Sequence, residues 1–305
     1  MTHSIVAPDA SAPVDRERGA ALAAAITRDA SSQSYYTIRF LVDRDRVADA
    51  YRAYAYFRWI DDRIDEGEAS ATGRAAFLRR QGALVEAGYR GRMPGDLCPQ
   101  EQLLAELIAG DTEPNSGLQL YLRHMMLVMA FDLERRGRLI TAAELERYTD
   151  LLATAVIEAL LYFIGHNCPA PSGAARSLAV GGACITHMLR DMIEDCAVGY
   201  YNIPVEYLAA HGIGPDDRDH PAYREWVAGR VALARDCFQQ GRVFIGRLEN
   251  RRRLAGYAYV ARFEWLARAI ERDGYRLRAE YPERKSARAG LWMARRAVAS
   301  FVGLE

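Results

Sequence analysis

Two pairs of aspartates, each four residues apart, constrain this chain more than any other feature. The first lies in Arg58-Trp59-Ile60-Asp61-Asp62-Arg63-Ile64-Asp65, as the pair Asp61 and Asp65. The second lies 130 positions later in Arg190-Asp191-Met192-Ile193-Glu194-Asp195, as Asp191 and Asp195. On a helix, residues i and i+4 sit one above the other on the same face. Like charges at that spacing repel, and nothing in helix propensity asks for them. A cation must offset the cost if two such faces meet. Hard divalent cations such as Mg2+ take carboxylate oxygens from a protein and phosphate oxygens from a substrate. Two acidic helical faces opposed across a pocket would therefore make a diphosphate site. Arg58 lies one turn before Asp61, and Arg190 immediately precedes Asp191, so each is placed to hold phosphate oxygens that a metal leaves free. A single such pair usually marks a solvated face. Here both pairs follow an arginine and both are embedded in aromatic or apolar sequence, a setting a solvated face does not need.

The surrounding sequence reads as helix after helix from about Glu17. Ala, Leu, Arg and Glu dominate, and apolar residues recur at three- and four-residue spacing. The pattern predicts helices over 17–30, 44–66, 70–90, 99–110, 117–138, 142–165 and 173–198, a short one at 204–211, then 219–250, 254–274 and 284–302. Breakers fall between them, at Met93-Pro94-Gly95, Gly110 to Gly117, Pro169 to Gly173, Gly212 to Pro221, and Pro282. There is no alternating β-branched run and no Asn-Gly hairpin signal. No Gly/Ser linker divides the chain. The expectation is an all-α, single-domain helical bundle over residues 17–305, preceded by an Ala/Pro/Ser-rich disordered tail over 1–16.

Composition narrows the partners. Lys plus Arg and Asp plus Glu both number 40 in 305 residues, and that balance argues against nucleic acid. The five cysteines show no CxxC pairing and read as reduced thiols of a cytoplasmic protein. The greasiest run, Leu151 to Ile164, is broken by Glu158 and is shorter than the roughly 20 residues a spanning helix needs, so no stable membrane insertion is expected.

Further candidates flank the acidic pairs. Ser31-Ser32-Gln33-Ser34-Tyr35-Tyr36 is a hydroxyl-rich lead into the next helix, either a cap or loop or a flap whose hydroxyls reach a phosphate. Tyr51, Tyr54, Tyr56, Phe57 and Trp59 crowd the first acidic helix, and core packing is the default for such a stripe. Tyr54 shares the face of Arg58 and Asp61, where a ring would stabilise an allylic cation. Glu158 is a lone carboxylate in an apolar helix. It is either paired with a cation across the bundle or orients or deprotonates an acceptor substrate. His187, one turn before Asp191, is either a packed histidine or a ligand on the metal face.

At these residues the chain resembles the squalene/phytoene synthase family, the head-to-head prenyl synthases. Tyr54-Ala-Tyr-Phe-Arg58-Trp-Ile-Asp61-Asp62-Arg-Ile-Asp65 is similar to the family's first aspartate-rich helix, and Leu189-Arg190-Asp191-Met-Ile-Glu194-Asp195 to its second. The resemblance runs from Ser32 to Tyr275. It implies an isoprenoid synthase fold with a central cavity, Mg2+ and an allylic diphosphate donor. By the resemblance, Asp61, Asp65, Asp191 and Asp195 hold metal, while Ser32, Ser34, Arg58 and Arg190 hold diphosphate. The departures are as informative. Gln33 stands where the family flap has a lysine, and Cys184 and His187 where it has Gln and Asn. Gly199-Tyr200-Tyr201-Asn202-Ile203-Pro204 stands for Gly-Arg-x-Tyr-Leu-Pro. The middle helix carries Thr154, Glu158-Ala159 and Tyr162-Phe163 where the family has Tyr, Val-Ala and Val-Gly, so small or apolar positions gain a carboxylate and two rings, and Phe263 replaces a tyrosine.

These departures place bulk and polarity where a second prenyl chain would lie. The expectation is a Mg2+-dependent prenyltransferase that moves a short allylic group, such as dimethylallyl, to an aromatic natural-product acceptor such as a carbazole. Tyr54, Glu158 and His187 would be its catalytic residues, with Glu158 or His187 serving the acceptor. The alternative is head-to-head condensation of two prenyl diphosphates to a squalene- or phytoene-like hydrocarbon. A head-to-tail synthase or terpene cyclase fits DDxxD at Asp61 but not the second motif. A non-catalytic prenyl diphosphate binder would not need all four aspartates.

Overall fold

The computed structural model describes residues 12–65, 70–168 and 170–303. Among them it holds twelve α-helices and no strand, the all-α architecture that the spacing predicts. The chain divides into two units, one running through Ser116 and the other beginning at Gly117.

The first unit contains α1 (Ala12–Ala30), α2 (Ser32–Leu41), α3 (Val47–Asp65), α4 (Ala71–Tyr89) and α5 (Pro99–Ala109). Helix α1 starts earlier than expected, so residues 12–16 of the predicted disordered tail are helical, and residues 1–11 lie outside the described ones. Pro13 near the start suits a first helical turn, where its missing N–H costs nothing. Helix α2 is an element the sequence reading left as a lead-in. Its Tyr-Tyr-Thr-Ile run has weak helix propensity, but tertiary contacts hold it. The Ser31 hydroxyl caps it by accepting from the Ser34 N–H at 3.1 Å. The Tyr35 ring stacks on Tyr51 of α3 at 5.3 Å, and the Tyr51 hydroxyl donates to the Tyr35 carbonyl.

Helix α3 is fixed on its inner face. Tyr51, Ala55, Tyr56, Ile60 and Ile64 are buried. The Tyr56 hydroxyl donates to Gln81 of α4 at 3.0 Å, and the Gln81 amide donates to Glu101 of α5 at 2.9 Å. Arg80 then closes the chain with a two-pronged bond to the same carboxylate, at 2.7 and 2.9 Å. Arg52, also buried, ties α3 to Glu106 of α5 at 2.8 Å and pairs with Asp49 on its own helix. Buried polar groups are costly unless satisfied; here their satisfaction sets the height and rotation of α3.

The second unit contains α6 (Gly117–Arg135), α7 (Ala142–Phe163), α8 (Leu178–Ala197), α9 (Val205–His211), α10 (Pro221–Ile245), α11 (Asn250–Arg272) and α12 (Ala287–Val302). The helix expected over 173–198 is a short 3₁₀ turn at Ala174–Arg176 followed by α8. Helices α8 and α10 cross closely. A Cβ on Gly182 would fall 2.8 Å from the Ala234 carbonyl oxygen, and one on Gly241 2.5 Å from the Ala179 nitrogen. The end of α7 is held by Arg252 of α11. Its guanidinium donates to the carbonyls of Leu161 (2.7 Å), Ile164 (2.5 Å) and Cys168, groups a helix C-terminus otherwise leaves unpaired. No helix among the described residues is long and apolar enough to cross a membrane.

Glu101 offers a test of the first unit. Arg80, against the opposing effect of burial, and then Gln81 and the Cys98 N–H hold its carboxyl at about 2, well below the ordinary range. Such a group contributes stability that is present above pH 4.5 and lost as pH falls toward the folded value. Arg80 is 44% exposed, so water screens the pair. Denaturant titration should find Glu101→Gln less stable than the native chain by about 2 kcal/mol at pH 7. The gap should begin to shrink below pH 4.5 and approach zero only as pH falls through about 2. A gap independent of pH would refute the assignment.

Candidate active site

Each unit presents one acidic helical face. On α3 the residues opposite the buried stripe are Tyr54, Arg58, Asp61, Asp62 and Asp65, with Tyr54 half-buried and Arg58 and Asp65 exposed. Arg58 lies 3.6 Å from the Asp61 carboxylate and forms a closer pair with Asp62. The structure thus gathers the sequence-derived residues of this helix on one face, with Tyr54 one turn from Arg58. Of the two serines assigned to diphosphate, Ser32 is exposed and Ser34 half-buried in the first turn of α2. The cap itself is Ser31.

On α8 the buried face is Ala179, Ala183, Leu189, Met192 and Cys196. The outward face carries His187, Arg190, Asp191, Glu194 and Asp195. Arg190 makes a two-pronged bond to Asp191, at 2.5 and 2.6 Å, and also touches Nε2 of His187. The same Nε2 lies 3.3 Å from Asp191 Oδ2, so the three side chains form one polar cluster. Burial, then Arg190, hold His187 below its ordinary pKa against the pull of Asp191. Its ring meets Phe263 edge to face with centroids 6.2 Å apart, and Phe263 in turn packs on Tyr259 with centroids 5.0 Å apart.

Asp195 is the strained member of the pair. Burial, and next the charge of Asp191, push its carboxyl up to about 7. Arg135 of α6 and Asn202 pull the other way. Two carboxylates one helical turn apart, the second pushed up in proton affinity by burial and by the charge of the first, form a site short of positive charge. Their hard oxygen donors match Mg2+, which takes one or two protein carboxylates and completes its shell with phosphate and water. Among the described residues, no three His, Cys, Asp or Glu side chains cluster as a ready-made metal cage.

Two arginines that sequence reasoning missed lie beside this acidic face. Arg262 of α11 is held below its ordinary pKa by burial and, among charged neighbours, by Arg190 and Arg284. Arg284, in the 3₁₀ turn Pro282–Lys285, is lowered by burial and Arg190, against the pull of Asp191 and Glu194. Neither guanidinium has a carboxylate at ion-pair distance among the described residues. Three mutually repelling arginines beside two mutually repelling aspartates are what a polyanion carrying its own divalent cation would satisfy. Arg262 precedes Phe263, a position the sequence had marked, but its orientation depends on how α11 packs on α8.

The structure places Glu158 away from such a role. Both of its oxygens accept from Arg176, at 2.7 and 2.8 Å, and Arg176 also donates to the Pro171 carbonyl. Of the two readings of this carboxylate, the pair across the bundle is the one built. Tyr162 and Phe163 beside it are buried and pack edge to face at 5.1 Å.

With this geometry in place, comparison with known proteins is informative. The family profile described as squalene/phytoene synthase matches residues 27–290. The chain is 30% identical over 225 residues to a phytoene synthase of Thermus thermophilus, covering 72% of this chain and 73% of that one. It is 28% identical over 200 residues to a presqualene diphosphate synthase of Zymomonas mobilis, covering 63% of each. Among solved structures, squalene synthase HpnC from Alicyclobacillus acidocaldarius superposes with a TM-score of 0.69 at 20% identity, over 87% of this chain and 98% of that one. At that identity the likeness shows a shared all-helical fold.

The Glu158–Arg176 pair is testable by a double-mutant cycle. Arg176→Leu strands a buried carboxylate and should cost about 3 kcal/mol in urea titration. Adding Glu158→Leu should recover at least about half of that loss. Additive losses would show that the pair does not hold α7 to the 3₁₀ turn.

Proposed function

We propose, given that this chain belongs to the squalene/phytoene synthase family of prenyltransferases, that it joins two prenyl diphosphates head to head, giving a product of the phytoene or presqualene diphosphate type. The observation that carries the reading is the grouping of Arg190, Arg262 and Arg284 beside Asp191, one helical turn from Asp195. It supports a site for the diphosphate of an allylic donor. The relatives named above support the second prenyl diphosphate as acceptor.

Asp61 and Asp65 on α3 and Asp191 and Asp195 on α8 are the residues that would hold Mg2+. Bound there, it would neutralise the departing diphosphate as a Lewis acid. The chain's own groups do the rest. Arg190 exchanges its bond to Asp191 for phosphate oxygens, and Arg58 does the same on α3. Arg262 and Arg284 receive charge that builds on the leaving oxygens. The C–O bond of the donor breaks and its electron pair leaves with the diphosphate. Tyr54 offers its π-face to the allylic cation. A double bond of the second chain attacks, a C–C bond forms, and one proton departs. His187, neutral and touching Arg190, contacts the diphosphate or takes that proton. Glu158, engaged by Arg176, shapes the pocket wall and does not serve as base.

A second reading, transfer to an aromatic acceptor such as a carbazole, draws on one specific observation. Gln33 and Tyr200 stand where related sequences carry cations, which leaves less positive charge for a second diphosphate. Incubation with Mg2+ and C5, C10, C15 or C20 allylic diphosphates, followed by mass spectrometry, separates the two. Head-to-head synthesis gives a coupled product of twice the donor's carbon number with pyrophosphate release. No coupled product, with transfer restored by an added arene, would replace it with the second reading. In the productive assay, Asp191→Asn should lower the rate of pyrophosphate release at least about 100-fold. Arg262→Leu should weaken binding of Mg2+-pyrophosphate about tenfold. Native-like values for both would refute the site.

A further inference from the structure

The second acidic pair is held from behind by a buried polar chain. The Asn202 amide N–H donates to Asp195 Oδ2 at 2.9 Å, and the Asn202 carbonyl accepts from Arg135 Nη1 at 2.7 Å. Arg135 Nε donates to Asp132 Oδ1 at 2.7 Å, and Asp132 Oδ2 accepts from the Tyr148 hydroxyl at 3.2 Å. Asn202 is 1% exposed and Arg135 4%. The Arg135 guanidinium lies 4.6 Å from the ring centroid of Tyr148 and 5.0 Å from that of Tyr200. The backbone is tied at the same place. Tyr200 N–H donates to the Asp195 carbonyl at 2.8 Å, and Gly137 N–H to the Gly199 carbonyl at 2.8 Å. Gly199, at φ +93°, allows this close pass, since its Cβ would lie 3.1 Å from the Gly137 nitrogen.

The chemistry of the chain gives it a direction. Arginine can only donate and an ionised carboxylate can only accept. The amide between them can satisfy both in one orientation alone, with its oxygen toward Arg135 and its N–H toward Asp195. The arrangement favours Asp195 as a charged acceptor and fixes Oδ2. Oδ1 receives no hydrogen bond from any described residue. A carboxylate with one oxygen anchored and the other open is oriented for a ligand.

We propose that Arg135 and Asn202 are positioning residues that aim the Asp195 carboxylate at a divalent cation. This rests on the reading of Asp191 and Asp195 as the metal and diphosphate face. Asn202→Leu keeps the side-chain volume and deletes both bonds. The test measures Mn2+ binding by electron paramagnetic resonance, in the presence of inorganic pyrophosphate, alongside thermal unfolding of the metal-free chain. Asn202→Leu should weaken Mn2+ binding at least tenfold at a temperature where circular dichroism shows the chain folded. A merely structural role would lower the unfolding temperature and leave Mn2+ affinity unchanged, and that result would overturn the proposal. Asp195→Asn, run in parallel, separates the two readings. Lost Mn2+ binding in Asp195→Asn with native binding in Asn202→Leu refutes the positioning role alone. Native binding in Asp195→Asn refutes the metal face, and the proposal falls with it. Should Asn202→Leu not fold, Asn202→Ser, too short to reach both partners, must show the same loss.

Discussion

Repulsion between carboxylates one turn apart is the constraint the rest of this structure answers. Burial and the charge of Asp191 raise the proton affinity of Asp195, on a helix whose other face is closed by Leu189, Met192 and Cys196. The helix cannot rotate the charges away without exposing that face. It meets the repulsion locally instead, with Arg190 bonded to Asp191 and Asn202 bonded to Asp195. These two solutions differ in kind. The Arg190 bond is short and lies in reach of solvent, so a phosphate can take the arginine over. The Asn202 bond is buried and backed by Arg135, so it stays. Under the proposed function, one carboxylate would be released by the ligand while the other is already oriented for it.

Arginine has two uses in this chain, and their separation explains why three guanidiniums around α8 stand out. Arg52, Arg135, Arg176 and Arg252 are each bound to acceptors of the protein, and each ties one helix to another or caps a helix end. Breaking such a bond leaves a buried charge alone, which costs several kcal/mol, so they fix geometry. Arg262 and Arg284 face Arg190 with no carboxylate at bonding distance among the described residues. Burial and like charge both disfavour their protonated forms. A fold can retain that cost at a site where a polyanion repays it.

Much of this was legible in the chain. The 3.6-residue period gave the helices, because each has one buried face and breakers at both ends. The acidic faces were legible for the same reason, since Tyr54, Arg58, Asp61 and Asp65 must share a stripe on any helix. What escaped was of two kinds. Helix α2 has a local composition unsuited to a helix and forms through the stack of Tyr35 on Tyr51. The partners of the site come from far along the chain: Arg135 reaches Asn202 across 67 positions, and Arg176 reaches Glu158 across 18. Spacing within a helix carries no information about which helix packs opposite. Glu158 shows the limit well. That it needed a partner followed from its apolar surroundings, but whether protein or substrate supplied it did not.

Rigidity behind each acidic face has a chemical purpose. Stabilising a leaving diphosphate depends on groups that need not reorganise as charge develops. On α3 the rotation is set by the Tyr56–Gln81–Glu101–Arg80 chain, and on α8 by glycine-only crossings at Gly182 and Gly241. Both devices lie on the face opposite the aspartates. A change of acceptor therefore need not touch them. Of the departures that the resemblance marks, Glu158, Tyr162 and Phe263 stand apart from these residues, whereas Tyr200 packs its ring on Arg135 and bonds the Asp195 carbonyl behind the second acidic face. Under the proposed function, the residues that stabilise the leaving diphosphate are held by packing from behind, and a change of acceptor can leave that packing in place.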